Sequence, residues 1–415
     1  MTNVLNLKAW KKYLEKDSNG NFSRNLVNAI CTIKNANEFK GRLGYDLFAH
    51  KLMVLGSLPW DEREDPRSIE DKDPIKLMEW MQLEGLHIHS INVVTNAIHA
   101  VCTDNGYHPV QDYLNGLEWD GIERLDEWLV RYQGAEGTAY TRAVARMFLI
   151  SAVARIMQPG CQADHMLVLE GDQGIGKSQT LQALAEPWVL ESLRDMKGKE
   201  GKEQIQGRWL VEVSELDAMR RSDKETAKAF ISTRIDVFRP SYGRYANEFP
   251  RQCVFIGTTN SEQYLRDETG NRRFWPIKCS AIDTDGLRLA RNQLWAEAVT
   301  AYQAGEKWHM VDQGLKKMAR TEQDKRYEED AWESAISDWL KTRSGSSVTQ
   351  LQVMEQCLDL QRHQQHRGTG GRVSDIMKRC GWVRQDARIK QTDADGDERK
   401  TYSWQHPITA YANRK

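Results

Sequence analysis

Residues 171–178 read GDQGIGKS: Gly171, four residues, then Gly176, Lys177 and Ser178. The apolar run MLVLE (166–170) comes before it, and KSQTLQALAE (177–186), with apolar residues at helical spacing, follows it as far as Pro187. A strand therefore ends and a helix begins around a glycine-rich turn, which admits only folds that place such a turn at a sheet edge. The glycines let successive backbone N–H groups turn inward around phosphate oxygens, and the helix N-terminus adds its dipole. Gly171, Asp172, Gln173, Gly174, Ile175, Gly176, Lys177, Ser178 and Gln179 are the candidate nucleotide-binding residues. Lys177 is expected to reach the β and γ phosphates and the Ser178 hydroxyl a Mg²⁺ ion. The alternative is a glycine turn that merely caps a helix; the flanking strand and helix decide against it.

The same alternation continues downstream. RWLVEV (208–213), CVFIGTTN (253–260) and FWPIKC (274–279) read as strands, and KETAKAFIS (224–232) as a helix. Strands separated by helices predict an α/β fold with a parallel sheet. Upstream, LDEWLVRYQG stops at Gly134, and TAYTRAVARMFLISAVARIM continues as a long helix that PGC (159–161) ends. Residues 1–110 read as mixed and mostly helical, with DEREDPRSIEDKD (61–73) a loop. His87 and His89 suit a strand with both imidazoles on one face; with no carboxylate or Cys at ligand spacing, a structural role is expected. KKMARTEQDKRYEED (316–330) reads as a charged linker. Beyond it come AWESAISDWLKTR, SVTQLQVMEQCL and VSDIMKRCGWV, three helices, then a hairpin turning near Asp395-Gly396. That is the order of a winged-helix module, and with 14 Lys/Arg against 10 Asp/Glu over 331–415 this end is mildly basic.

A phosphate loop needs an acid on a neighbouring strand. In WLVEVSEL (209–216) two compete. Glu215 stands where the strand should end, and Glu212 lies within the apolar run, where a carboxylate is costly unless paired. Glu215 is preferred as the catalytic acid and, with Ser178, as a metal-side residue; Glu212 is a metal-side or structural partner. VFIGTTN ends in Asn260, placed to hydrogen-bond the γ-phosphate or position water. Arg272 and Arg273, in DETGNRRFWP (267–276), follow it and are candidates to stabilise transition-state charge on a neighbouring subunit. Between the acid and the Asn, VFRPSYGRYANEFPR (237–251) reads as strand, turn and strand with Arg239, Tyr242 and Arg244 at the tip. Basic and aromatic groups there suit single-stranded nucleic acid; an ordinary solvated hairpin is the alternative.

Composition sets limits. With 58 basic and 59 acidic residues the formal net charge is -1, so coating of nucleic acid by bulk charge is excluded, although local patches are not. Seven cysteines without a C-x-x-C write neither a disulfide framework nor a zinc finger and fit a reduced cytoplasm. No long apolar run free of charge appears, so neither a membrane span nor a signal peptide is expected.

These elements, in this order, resemble superfamily 3 helicases, a branch of the AAA+ ATPases. Closer still is the resemblance to the virulence-associated protein E (VapE) family of phages and prophage islands. YLNGLEWDGIERLDEWL (113–129), VARIMQPGCQADHMLVLEGDQGIGKS (153–178), GRWLVEVSELDAM (207–219) and IGTTNSEQYLRDETGNRRFWPI (256–277) carry it. The resemblance implies a replicative DNA helicase in a bacterial host cytoplasm that uses ATP and Mg²⁺. It would work as a ring, usually a hexamer, on single-stranded or fork DNA, with replication proteins as partners. It implies an AAA+ core over 159–315 with helices on both sheet faces, a helical collar over 111–158 that holds subunits together, and a winged-helix-like module over 331–415. Arg239, Tyr242 and Arg244 become channel DNA contacts, and Arg272 or Arg273 the arginine acting in trans. Ser214 stands where many relatives of the fold have a second acid. No acidic constellation in 1–110 supports primer synthesis, so a stand-alone helicase is expected. The competing classes are an AAA+ loader or remodeller of a protein partner, and a DNA-binding regulator tuned by nucleotide.

Overall fold

The computed structural model describes residues 9–193, 195–216, 221–241, 245–265, 271–327, 330–343 and 347–406. They divide into two compact units, one of residues 1–262 with 268–325, the other of 263–267 with 326–415.

The first unit begins with α1 (Leu26–Asn35), β1 (Leu43–Asp46), β2 (Lys51–Val54), β3 (Arg67–Ser68), α2 (Lys72–Leu83), α3 (Ile91–Asp104) and β4 (Gly106–Tyr107). Asn25 caps α1 by accepting from the Asn28 N–H. In α3, Val94, Ala97, Ile98, Val101 and Cys102 make one buried stripe. The segment is less helical than its sequence suggests. Its four strands form a sheet of order β3-β2-β1-β4, and at two to four residues each they are too short to show an alternating pattern. His87 and His89 do not lie on a strand: His87 has a φ of 51° in irregular chain, and the two exposed rings stack with centroids 6.5 Å apart.

Next come α4 (Pro109–Asn115), α5 (Trp128–Gln133) and α6 (Ala139–Met157). Gly134 ends α5 in the left-handed region, and Thr138 caps α6. From Met147 to Ile156 every residue of α6 is buried. A helix covered all round is a core helix, so α6 is part of the core of this unit. Even Arg155 is buried, its guanidinium donating to Arg251 O at 3.4 Å and Ala163 O at 3.2 Å, and burial holds its pKa below the usual arginine value.

The rest of the unit is an α/β layer: β5 (Met166–Glu170), α7 (Lys177–Ala185), β6 (Val189–Leu190), α8 (Lys199–Gln204), β7 (Leu210–Val213), α9 (Arg221–Ser232), β8 (Ile235–Phe238), β9 (Asn247–Pro250), β10 (Val254–Thr259), β11 (Phe274–Lys278), α10 (Thr284–Gln303) and α11 (Gln313–Lys325). Five strands form a wholly parallel sheet of order β11-β5-β10-β7-β6. Helices cover both faces, which is why β5, β7 and β10 are buried along their whole length and read as unbroken apolar runs. The charged stretch read as a linker is instead mostly α11, a part of this unit. It buries Ala319 and Gln323, and Gln323 Nε2 donates to Phe274 O at 2.9 Å, covering the edge strand β11.

β8 and β9 form a separate antiparallel ribbon. Its inner face is pinned by Arg251, whose Nε and Nη2 hold Asp236 at 2.6 and 2.9 Å with both side chains almost wholly buried. The guanidinium also lies 4.1 Å from the Phe230 ring centre. Asp236→Asn leaves that cation without its counter-charge, and we expect it to lower unfolding free energy by about 3–5 kcal/mol in urea melts. A loss below about 1 kcal/mol, the size of an exposed pair, would show the ribbon is not held this way.

The second unit holds α12 (Glu333–Lys341), β12 (Ser347–Thr349), α13 (Gln350–Gln352), α14 (Arg367–Arg379), β13 (Val383–Thr392) and β14 (Glu398–Gln405). Ile336, Leu340, Leu351, Val373, Ile376, Trp382 and Trp404 form its core. Its second helix departs from expectation. Ser347–Thr349 pairs with β14, Thr349 and Gln352 make a capping box, and the helix widens to π geometry over Val353–Cys357. The hairpin turns at Gly396, where φ is 89°.

Candidate functional site

Parallel α/β sheets bind ligands beyond the carboxyl ends of their strands. Here three adjacent strands end together. β5 runs into the glycine turn, β10 ends just before Asn260, and β7 ends beside Ser214 and Glu215. A cavity of about 340 Å³ opens at this edge, lined by residues of all three ends.

The glycine turn is shaped by its sequence. Gly176 has a φ of 103° and caps α7; at Gly171, with φ 150°, a Cβ would come within 2.8 Å of Cys279 O. Lys177 folds over the turn, its Nζ donating to Gly171 O at 2.6 Å, Asp172 O at 2.7 Å and Asn260 Oδ1 at 2.9 Å. The lysine and the Asn that follows β10 thus meet across the cavity. Among the described residues, Lys177 is the one cation lining it.

Glu212 is buried in mid-β7, but it is paired. Its Oε1 accepts from Ser178 Oγ at 2.7 Å and from Thr258 Oγ1 at 2.8 Å. Burial raises its pKa above the ordinary carboxylate value, and the two hydroxyls only partly offset this. The residue touching Ser178 is therefore Glu212, not Glu215. Glu215 lies just past the strand, exposed and lining the same cavity, with a φ of 55° that a side chain rarely adopts. Ser214 lines the cavity beside it, 3.3 Å from Ser192 Oγ. Thr258 is the functional hydroxyl that sequence reading passed over. It lies on the strand adjoining β7, two residues past the Ile256–Glu212 partner pair, and only that strand order shows it facing the acid.

A hydroxyl and one carboxylate, both hard oxygen donors, fit Mg²⁺ held together with phosphate oxygens. Among the described residues no group of three His, Cys, Asp or Glu is placed to hold a metal by itself.

Other sequence candidates lie elsewhere. Arg272 and Arg273 do not line the cavity; Arg273 Nε donates to Ser232 Oγ at 2.6 Å, and Arg272 is exposed. Arg239 is exposed just past β8. Tyr242 and Arg244 lie outside the described residues. All seven cysteines are free thiols, and among the described residues no helix is long and apolar enough to cross a membrane.

The profile of the virulence-associated protein E-like domain matches residues 114–328, just over half of the chain. The chain belongs to that family. The matched span contains the whole parallel sheet and every residue that lines the cavity. No curated protein matches the sequence. Among solved structures, similar chains include the apo NrS-1 C terminal region (305–718), at 13% identity and a TM-score of 0.45, over 87% of this chain and 95% of that one. An A form apo structure of the same region gives 12% identity and a TM-score of 0.47, over 88% of this chain and 96% of that one.

Proposed function

We propose that this VapE-family chain is an ATP-dependent DNA helicase of the superfamily 3 type. It has an AAA+ phosphate-loop core and works as a ring on single-stranded DNA in phage or prophage replication. The observation that carries the proposal is the convergence of Lys177, Ser178, Glu212, Glu215 and Asn260 on one cavity at the carboxyl edge of three neighbouring parallel strands. The interposed β10 supports it, because it sets Asn260 opposite Lys177 where a γ-phosphate would lie.

In this reading Lys177 exchanges the Gly171 and Asp172 carbonyls for phosphate oxygens, and Asn260 turns to the γ-phosphate. Glu215 accepts a proton from the attacking water. Ser178 and Glu212 would hold Mg²⁺, which would supply positive charge to neutralise the phosphates. Arg239, with Tyr242 and Arg244, contacts DNA in the channel, and the second unit is a winged-helix-like module. ATP hydrolysis measured with and without single-stranded DNA tests the proposal. Strong stimulation is expected; hydrolysis indifferent to DNA would favour a protein remodeller.

The one cation lining the cavity among the described residues is little charge for a triphosphate, which supports an arginine supplied in trans. Among the described residues Arg273 is tied within its own chain and Arg272 makes no hydrogen bond or ion pair, so we assign the role to Arg272. Arg272→Ala subunits mixed into parent rings are expected to depress activity faster than their fraction rises, and Arg273→Ala subunits less so. A linear fall for Arg272→Ala would place that arginine in cis.

A further inference from the structure

Resting on the nucleic-acid reading above, we infer that the second unit grips duplex DNA with one face of its β13–β14 ribbon, through Arg384, Arg388 and Lys400, and not with α14.

The cations on and beside α14 are mostly engaged. Arg372 holds Asp330 through Nε and Nη2, both at 2.7 Å, and Arg379 holds Glu333 at 2.9 and 2.8 Å. Lys378 lies 3.6 Å from Asp375. Residues so paired have little charge left for phosphate, and Arg367 alone on the helix makes no ion pair among the described residues.

The ribbon is built the other way. A register shift between Arg384 and Arg388 inserts extra residues into β13, so that Arg384 pairs with Trp404 and Arg388 with Tyr402. Both guanidiniums consequently lie 4.7 Å from the centre of the Tyr402 ring. On the same face the next partners are Lys390 and Lys400, directly opposite each other. Like charges in that relation destabilise a ribbon; Glu398 beside Lys390 offsets one of them, and Lys400 is left for an anion laid along the face. Arg384, Arg388 and Lys400 make no ion pair among the described residues; Lys390 meets Glu398 at 2.7 Å. Asp386 in the bulge and Glu398 beside Lys390 are the opposing charges nearby. At the tip Asp393 is buried, and the exposed Asp395 and Asp397 face Arg362, so contact is confined to the strands.

The face favours duplex over single strand. Its ring already carries the two guanidiniums and so is not a free stacking platform for bases. Cations fixed on a stiff two-stranded ribbon match the regular phosphate array of a duplex, whose groove admits such a ribbon.

The test uses the full chain and a mixed-sequence duplex, with affinity followed across salt concentration. Arg384→Ala/Arg388→Ala is expected to weaken duplex binding roughly tenfold or more and to flatten the salt slope by about two. Arg384→Lys/Arg388→Lys is expected to keep most of it, and Arg367→Ala/Lys378→Ala nearly all. Near-ultraviolet circular dichroism, which reads Trp382 and Trp404 in the module core, must be unchanged in each variant. Duplex affinity unchanged in the double alanine variant overturns the inference, as does a larger loss from Arg367→Ala/Lys378→Ala. A parent chain that binds no duplex at low salt also overturns it. Hydrolysis stimulated by single-stranded DNA, measured on the same samples, reports separately on the helicase proposal.

Discussion

Lys177→Ala is expected to lower ATP hydrolysis by about a hundredfold or more, on the scale seen when one preorganised charge-stabilising donor is removed. The structure also says what else the substitution changes. Lys177 Nζ satisfies two backbone carbonyls and Asn260 Oδ1 across the turn. Removing it leaves those acceptors to water, at a cost of about 1–3 kcal/mol if water cannot replace it. A drop in melting temperature would therefore accompany the loss, so activity alone does not identify the cause. Lys177→Arg separates the two effects. It keeps a cation over the turn but presents a planar fork where a compact ammonium is needed. It is expected to recover much of the melting temperature and little of the turnover. Hydrolysis near the parent rate in Lys177→Ala would remove the phosphate site from the account altogether.

How far the site was legible in the sequence follows from distance along the chain. The glycine turn is local: eight consecutive residues between a strand and a helix state both the geometry and the chemistry, and the structure places them so. Asn260 was legible as the polar end of an apolar strand. The Glu212 environment was not, because its two hydroxyl partners come from α7 and β10, and only the strand order β5-β10-β7 brings them to it. The same limit explains the misread linker. Nothing in a charged helical segment announces that Ala319 and Gln323 face an edge strand. The small N-terminal sheet is hidden for another reason, since strands this short have no periodicity to detect.

The two acids of β7 make different predictions. Glu215→Gln is expected to bind ATP and fail to turn it over, because the triphosphate contacts survive while the group placed to accept the water's proton does not. Glu212→Gln keeps an oxygen for the Ser178 and Thr258 hydroxyls but removes the metal-side charge. Its loss of turnover should be partly recovered by raising Mg²⁺, and that of Glu215→Gln should not. Stability separates them as well. The raised pKa means that folded Glu212 binds a proton more readily than the unfolded chain does. The protein therefore loses stability as pH rises from the ordinary carboxylate pKa to the raised one, and stays at that lower level above it. Glu212→Gln has no such charge to bury and should melt no lower than the parent at neutral pH. At Glu215 the strain is in the backbone, with φ at 55°. Glu215→Gly relieves it, and is expected to raise stability by about 1 kcal/mol while abolishing turnover. A protein that is more stable, still binds ATP and no longer hydrolyses it would show strain kept at this position for the reaction. If Glu215→Gly and Glu215→Gln both turn over ATP normally while Glu212→Gln is inert at any Mg²⁺ concentration, the proton acceptor is the buried acid in mid-strand.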